Sequence, residues 1–229
     1  MTDRHAPTRA LVVFAKAPLP GLVKTRLARS IGDGPAARLA EAFLLDTLEN
    51  ARSMPACSLL VAFSPERSEP WFRAQGGAPS EAMRLVAQPA AGFGERLVAA
   101  LGEAHRLGAE QTVLIGMDSP HLGPSRWEAA FAALEEHDIC LGPCEDGGYY
   151  LIGLRAPHPA VFEDIPWGGP GVLDATRARA ASLGLSLAEL GEDFDVDEVG
   201  DLERLAARLA ADPTACPRTR EALGRARTP

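Results

Sequence analysis

Short, almost continuously apolar runs that alternate with helix-period segments constrain this chain most. Arg9–Lys16 (RALVVFAK), residues 57–63 (CSLLVAF) and residues 111–117 (QTVLIGM) read as strands buried on both faces. Residues 84–88, 138–142 and 149–154 predict three shorter strands. Helical spacing recurs between them, over 34–51 (Leu39, Phe43, Leu44, Leu48), 69–74, 94–107, 124–136, 171–183 and 198–209. Strands interleaved with helices predict an α/β protein with three layers and a mostly parallel central sheet. No internal repeat or low-complexity linker divides the chain, so a single domain over 1–229 is expected, with loose tails at 1–8 and about 213–229. Ligands of such sheets bind at the carboxyl ends of the strands. The loops after the strands are therefore where chemistry is expected.

Charge narrows the partners. Lys plus Arg is 23 and Asp plus Glu is 31, a net charge of -8. Sequence-independent nucleic-acid binding needs a basic surface, so no nucleic-acid partner is expected. Any phosphate must be met by a local group of cations. No stretch reaches the ~20 apolar residues of a membrane span. Residues 1–9 lack the apolar core of a signal peptide, which predicts a cytoplasmic protein. The spacing of Cys57, Cys140, Cys144 and Cys216 fits reduced thiols better than a structural zinc site.

Four loops stand out. The first, Lys16-Ala-Pro-Leu-Pro20-Gly21-Leu-Val-Lys24-Thr-Arg26, follows the first strand and holds both lysines of the chain. Pro18 and Pro20 stiffen it, and Gly21 permits close backbone approach. Its amides could cradle a phosphate that Lys24 and Arg26 neutralise. It is no Walker A loop, which would need glycine where Pro18 and Val23 stand. The second, Gly116-Met-Asp118-Ser-Pro120-His121, offers a carboxylate for Mg²⁺ or Mn²⁺ on a diphosphate, or a turn-forming Asp; His121 is read as structural. The third runs Glu145-Asp146-Gly147-Gly148-Tyr149-Tyr150. It reads either as a hairpin turn or as a platform where Gly147 and Gly148 admit a sugar or acceptor and Asp146 binds hydroxyls or acts as a base. At most one of the two tyrosines points into a cleft. The fourth, Asp193-Phe-Asp195-Val-Asp197, precedes the last long helix. Asp195 or Asp197 could complete the metal site with Asp118, or Asp197 could cap that helix.

Taken together, FAKAPLPGLVKTRL, FGERL (93–97), LIGMDSPHL, GPCEDGGYYLIGL, IPWGGPGVL (165–173) and DVDEVGDL (195–202) resemble the bacterial DUF2064 family over about residues 11–205. That family is itself similar to the nucleotide-diphospho-sugar transferases. The resemblance implies a glycosyltransferase-A fold with nucleotide over the first loop. It implies Lys24 and Arg26 on phosphates, and Asp118 with Asp197 on a divalent metal. Trp167 belongs to the expected substrate-binding set, but Gly168 follows it where the family often has Ser or Thr. The helix start Asp197-Glu-Val-Gly-Asp201 lacks the usual Pro.

The expected activity is a metal-dependent transfer from a nucleotide-activated donor to a small-molecule acceptor, with Lys24, Asp118 and Asp146 in catalysis. Glycosyl transfer from a sugar nucleotide is the leading expectation. The alternative is nucleotidyl transfer from an NTP to a phosphorylated or phosphonate molecule, which Arg96 near the triphosphate would favour. A nucleotide-binding regulator without turnover is the non-enzyme reading, disfavoured because both loops read as metal-binding retain their carboxylates.

Overall fold

β1 (Arg9–Lys16) is the axis of the sheet. Leu11 and Val13 enter the apolar layer on one face, and Ala10 and Val12 the layer on the other. That two-sided burial is why the segment is apolar throughout. β1 pairs in parallel with β2 (Cys57–Ser64) and with β4 (Gln111–Ile115), and β3 (Met83–Ala87) extends the β2 side. Beyond β4 lies β6 (Tyr149–Leu154), antiparallel to both β4 and β5 (Ile139–Pro143). β7 (Leu187–Glu189) closes that side, parallel to β5. The order is β3-β2-β1-β4-β6-β5-β7, the mostly parallel α/β sheet expected from the sequence. The computed structural model describes residues 8–75 and 83–226.

Helices cover both faces. α2 (Asp33–Arg52), α3 (Glu69–Gln75) and α5 (Pro124–Ala133) place Leu44, Leu48, Phe72, Trp127 and Phe131 on one. α4 (Phe93–Arg106) and α6 (Val172–Ser182) place Leu97, Leu101, Leu173 and Ala180 on the other. α1 (Thr25–Ile31), α7 (Val199–Ala210) and α8 (Pro217–Ala226) form a third apolar cluster with α2, through Leu27, Phe43, Leu205 and Leu223.

The tail expected to be loose from about 213 is therefore corrected: most of it is α8. Asp46 of α2, buried, accepts from the backbone N–H groups of Thr219 at 2.8 Å and Arg218 at 3.3 Å. Those are donors of the first helical turn, which have no partner within the helix. At the other end, Thr8 pairs with Glu110, and the rest of the expected loose segment lies outside the described residues. α1 and β7 are additions to the elements read from the sequence. Among the described residues no helix is long and apolar enough to cross a membrane.

His105 joins α4 to β4. Its Nδ1 lies 2.8 Å from the Ala109 carbonyl, and Thr112 Oγ1 lies 3.1 Å from Nε2. Burial holds its pKa below the ordinary value, although the Ala109 bond opposes that shift. The unfolded chain therefore takes up this proton first as pH falls below about 6.5, and stability is lost in that direction. Thermal melts at pH 7.5 and 5.5 should show a smaller midpoint difference in His105→Gln than in the wild type. Equal differences would remove His105 from the acid response.

Candidate active site

β1 pairs with β2 on one side and β4 on the other, so the chain changes direction across the sheet between β1 and β4. The loops leaving these two strands flank the crevice where ligands of such sheets bind. From the first, Lys24 starts α1 in the left-handed region (φ 47°, ψ 44°). Its side chain is 3% exposed and ion-pairs with Asp118 and with Asp197 Oδ1, the latter at 3.2 Å. Burial opposes the lysine's charge, but attraction to Asp118 and Asp197 outweighs it and the pKa is raised. Arg26 reaches Asp197 Oδ2 at 3.4 Å with its side chain 59% exposed, open to a ligand. Pro20 and Gly21 stand in the exposed turn before them and border neither of the cavities described below. Their part is to shape the loop.

The second and fourth loops are stitched together by backbone. The Val196 amide donates to the Asp118 carbonyl at 2.9 Å, and Ser119 Oγ donates to the Phe194 carbonyl at 3.0 Å. Asp193 anchors the pair from below. Its buried carboxylate accepts from His121 Nε2 (2.9 Å), Arg126 Nη2 (3.3 Å), Arg208 Nη2 (3.1 Å) and the Phe194 amide. The His121 ring stacks on Phe194 at 4.3 Å. Asp197 does not cap α7. Asp201 does, accepting from the Asp197 and Glu198 amides at 3.0 and 2.7 Å, which leaves the Asp197 carboxylate to Lys24 and Arg26.

The third loop is a hairpin between β5 and β6 that also borders the crevice. Asp146 Oδ1 accepts from the Gly148 amide at 2.8 Å. Gly147, at φ 86°, serves protein packing: a Cβ there would lie 1.9 Å from the Pro170 carbonyl oxygen. Gly148 is the glycine that faces the cavity. Tyr149 and Tyr150 both border it; the Tyr150 ring also fills the space beside Gly142, and its hydroxyl donates to the Gly191 carbonyl at 2.9 Å. Trp167 sits over the first turn of α4, where a Cβ on Gly94 would meet its Nε1 at 2.7 Å.

Two cavities result. The one over β1, about 420 Å³, is bordered by Lys16, Lys24, Arg26 and Arg96. Gln88 fixes Arg96: its Oε1 accepts from Arg96 Nη1 at 3.2 Å, while its Nε2 donates to the Ala62 and Ala15 carbonyls. The other, about 430 Å³, is bordered by Asp118, Asp146, Asp195 and Asp197, with Arg26 and Trp167. Arg26, Asp118 and Asp197 belong to both. Sequence reasoning missed Gln88; Phe14, Phe93 and Asp193 stood in the quoted segments without a role of their own.

The carboxylates fit a divalent cation in part. Burial, then Asp197, Asp146 and Asp118, push Asp195 up to about 6, a repulsion that a cation would relieve. Among the described residues no three His, Cys, Asp or Glu side chains form a ready metal site. The donor set suits an ion such as Mg²⁺, which takes one or two carboxylates and completes its shell with water and substrate phosphate.

Residues 47–169 match the profile of DUF2064, described as an uncharacterized protein conserved in bacteria. The phosphoenolpyruvate guanylyltransferase of Sphaerobacter thermophilus is 34% identical over 190 residues, covering 80% of this chain and 86% of that protein. A crystal structure from Desulfovibrio desulfuricans G20, provisionally named a nucleotide-diphospho-sugar transferase, superposes with a TM-score of 0.86 at 30% identity, over 96% of this chain and 98% of that one. The 4-diphosphocytidyl-2C-methyl-D-erythritol synthase of Anaerococcus prevotii has a TM-score of 0.60 at 8% identity, over 89% and 97% of the two chains, and speaks to fold alone. With its profile, relatives and topology in agreement, the chain belongs to the DUF2064 family and has the nucleotide-diphospho-sugar transferase fold.

Proposed function

We propose that the chain is a divalent-metal-dependent nucleotidyltransferase, moving NMP from an NTP to a phosphorylated or phosphonate small molecule. The observation that carries this reading is the gathering of Lys16, Lys24, Arg26 and Arg96 around one cavity over β1. Four cations suit a triphosphate better than the diphosphate of a sugar nucleotide. The similarity to a phosphoenolpyruvate guanylyltransferase supports it further. The glycosyl transfer favoured by the sequence thus gives way to its alternative.

In this mechanism an oxygen of the acceptor's phosphate or phosphonate attacks the α-phosphorus. The bond from that phosphorus to the bridging oxygen breaks, and pyrophosphate leaves with the electron pair. Lys24 and Arg26 neutralise charge as it builds on the transferring and leaving groups. Asp118 and Asp197, with Asp195 beside them, would hold Mg²⁺ or Mn²⁺, whose bound charge supplies further stabilisation of the phosphoryl oxygens. Asp146 holds the hairpin through the Gly148 amide and presents its carboxylate to the acceptor side.

Phosphorus NMR tests the reading. With an NTP, Mg²⁺ and a phosphonate acceptor, pyrophosphate should appear, and a sugar nucleotide should stay intact. Nucleoside diphosphate released from a sugar nucleotide, with NTPs untouched, would restore glycosyl transfer. Calorimetry should show nucleotide binding strengthened by about tenfold with Mg²⁺, and no such gain in Asp118→Asn. Metal-independent binding in the wild type would count against the carboxylate assignment.

A further inference from the structure

The two cavities differ in chemistry as well as position. Around the cavity that opens beside β6, Arg26 is the one bordering cation among the described residues, against the four carboxylates of Asp118, Asp146, Asp195 and Asp197. The rest of its wall is largely aromatic and aliphatic. Phe93 is 41% exposed, and its ring centroid lies 5.1 Å from that of Trp167. Phe162 backs Trp167 in a near-parallel stack at 6.4 Å. The close seat over Gly94 fixes the indole further. A flat apolar face held open in this way loses little freedom when a ligand covers it.

We infer that this cavity takes the acceptor, and that the acceptor carries one anionic head on an uncharged, apolar or aromatic body. The inference rests on the nucleotidyl-transfer reading and names the acceptor class for that same site. The head lies at the shared edge of the cavities, beside Arg26. The body lies against Phe93, Trp167 and Tyr149. Charge decides the body's class: Arg26, the one cation bordering this cavity among the described residues, is taken by the acceptor's head. A second anionic group deeper in the cavity would face Asp146 and Asp195 with no cation left to meet it, a like-charge contact of the kind that rejects wrong partners. Size points the same way. A cavity of about 430 Å³ is of the size that encloses a drug-like molecule, and a three-carbon acid would leave most of it unfilled.

Calorimetry on the full chain with Mg²⁺ tests this with three probes: a non-hydrolysable NTP, benzylphosphonate and phosphoenolpyruvate. Benzylphosphonate should bind about tenfold or more tightly than phosphoenolpyruvate to the nucleotide-loaded protein. Trp167→Ala should erase that preference, and so should Phe93→Ala, whose exposed ring can be removed without opening the core. Phosphoenolpyruvate binding as tightly as benzylphosphonate, or a preference unchanged in both variants, would overturn the inference. Failure of the NTP to bind, with the benzylphosphonate preference kept, would remove the nucleotidyl reading and leave the acceptor class standing. NTP binding with a preference for phosphoenolpyruvate would do the reverse.

Discussion

Lys24→Ala is expected to slow the proposed nucleotidyl transfer by roughly 10²–10³-fold, the loss seen when one preorganised donor to a developing charge is removed. Nucleotide affinity should fall by about 1.5–3 kcal/mol, as for a hydrogen bond to a charged group. The lysine's present partners make a second effect expected. Its ammonium lies between Asp118 and Asp197 and is almost wholly enclosed. Without it, two carboxylates lose their shared countercharge. Mn²⁺ should then bind the nucleotide-free variant more tightly than the wild type, even as turnover is lost. Lys24→Gly separates charge from backbone, because glycine relieves a left-handed conformation that costs a side-chain-bearing residue about 1–2 kcal/mol. The glycine variant should melt at a higher temperature than the alanine variant and be equally inactive. Kinetics near the wild-type rate in either variant would exclude Lys24 from the chemistry, and unchanged Mn²⁺ affinity would show that the ion pairs do not compete with metal.

Those partners were beyond the reach of the sequence. Lys24 reads there as a phosphate ligand because it follows a strand in a Pro/Gly loop. Asp118 and Asp197 are distant in the chain, and only the β1–β4 pairing and the Val196–Asp118 backbone bond bring all three together. What was legible had a local cause. Strands buried on both faces are apolar throughout, and α2 and α4 carry apolar residues at helical spacing. The four loops were found because their residue types are costly or unusual where they stand. Elements set by tertiary contacts were not legible. α8 is mostly polar, with Leu223 buried and its first turn capped by Asp46 from α2. α1 is seven residues long and buries only Leu27. β7 is a three-residue edge strand defined by its pairing with β5. Gly147 reads in the sequence as an approach for ligand, whereas the neighbour that excludes a side chain is the Pro170 carbonyl of the next loop.

Asp193 shows most sharply how a residue outside the chemistry can govern it, and its replacement should have the largest effect on stability. In the sequence it is the first member of an alternating acidic run. In the fold its carboxylate points inward, 2% exposed, while Asp195 and Asp197 border the cavity. Asp193→Ala would leave His121, Arg126 and Arg208 without their common acceptor and free the Phe194 amide. Breaking a buried ion pair from one side costs about 3–5 kcal/mol. The Arg208 side chain is half exposed, so water can recover part of that loss and about 3 kcal/mol is expected. In a chain of this length that lowers the melting midpoint by on the order of 10 °C. Asp193→Asn keeps an acceptor oxygen but not the charge, and should lose less. Both variants should lose turnover beyond what their folded fraction explains, because the Phe194 carbonyl and Val196 amide that tie the acidic loop to Ser119 and Asp118 follow directly from this anchor. Denaturation in urea, paired with kcat measured well below the melting range, separates the two effects. A loss under about 1 kcal/mol in Asp193→Ala would show that the cluster does not hold the loop. A large loss in stability with kcat intact in the remaining folded protein would show that Asp195 and Asp197 find their positions without it.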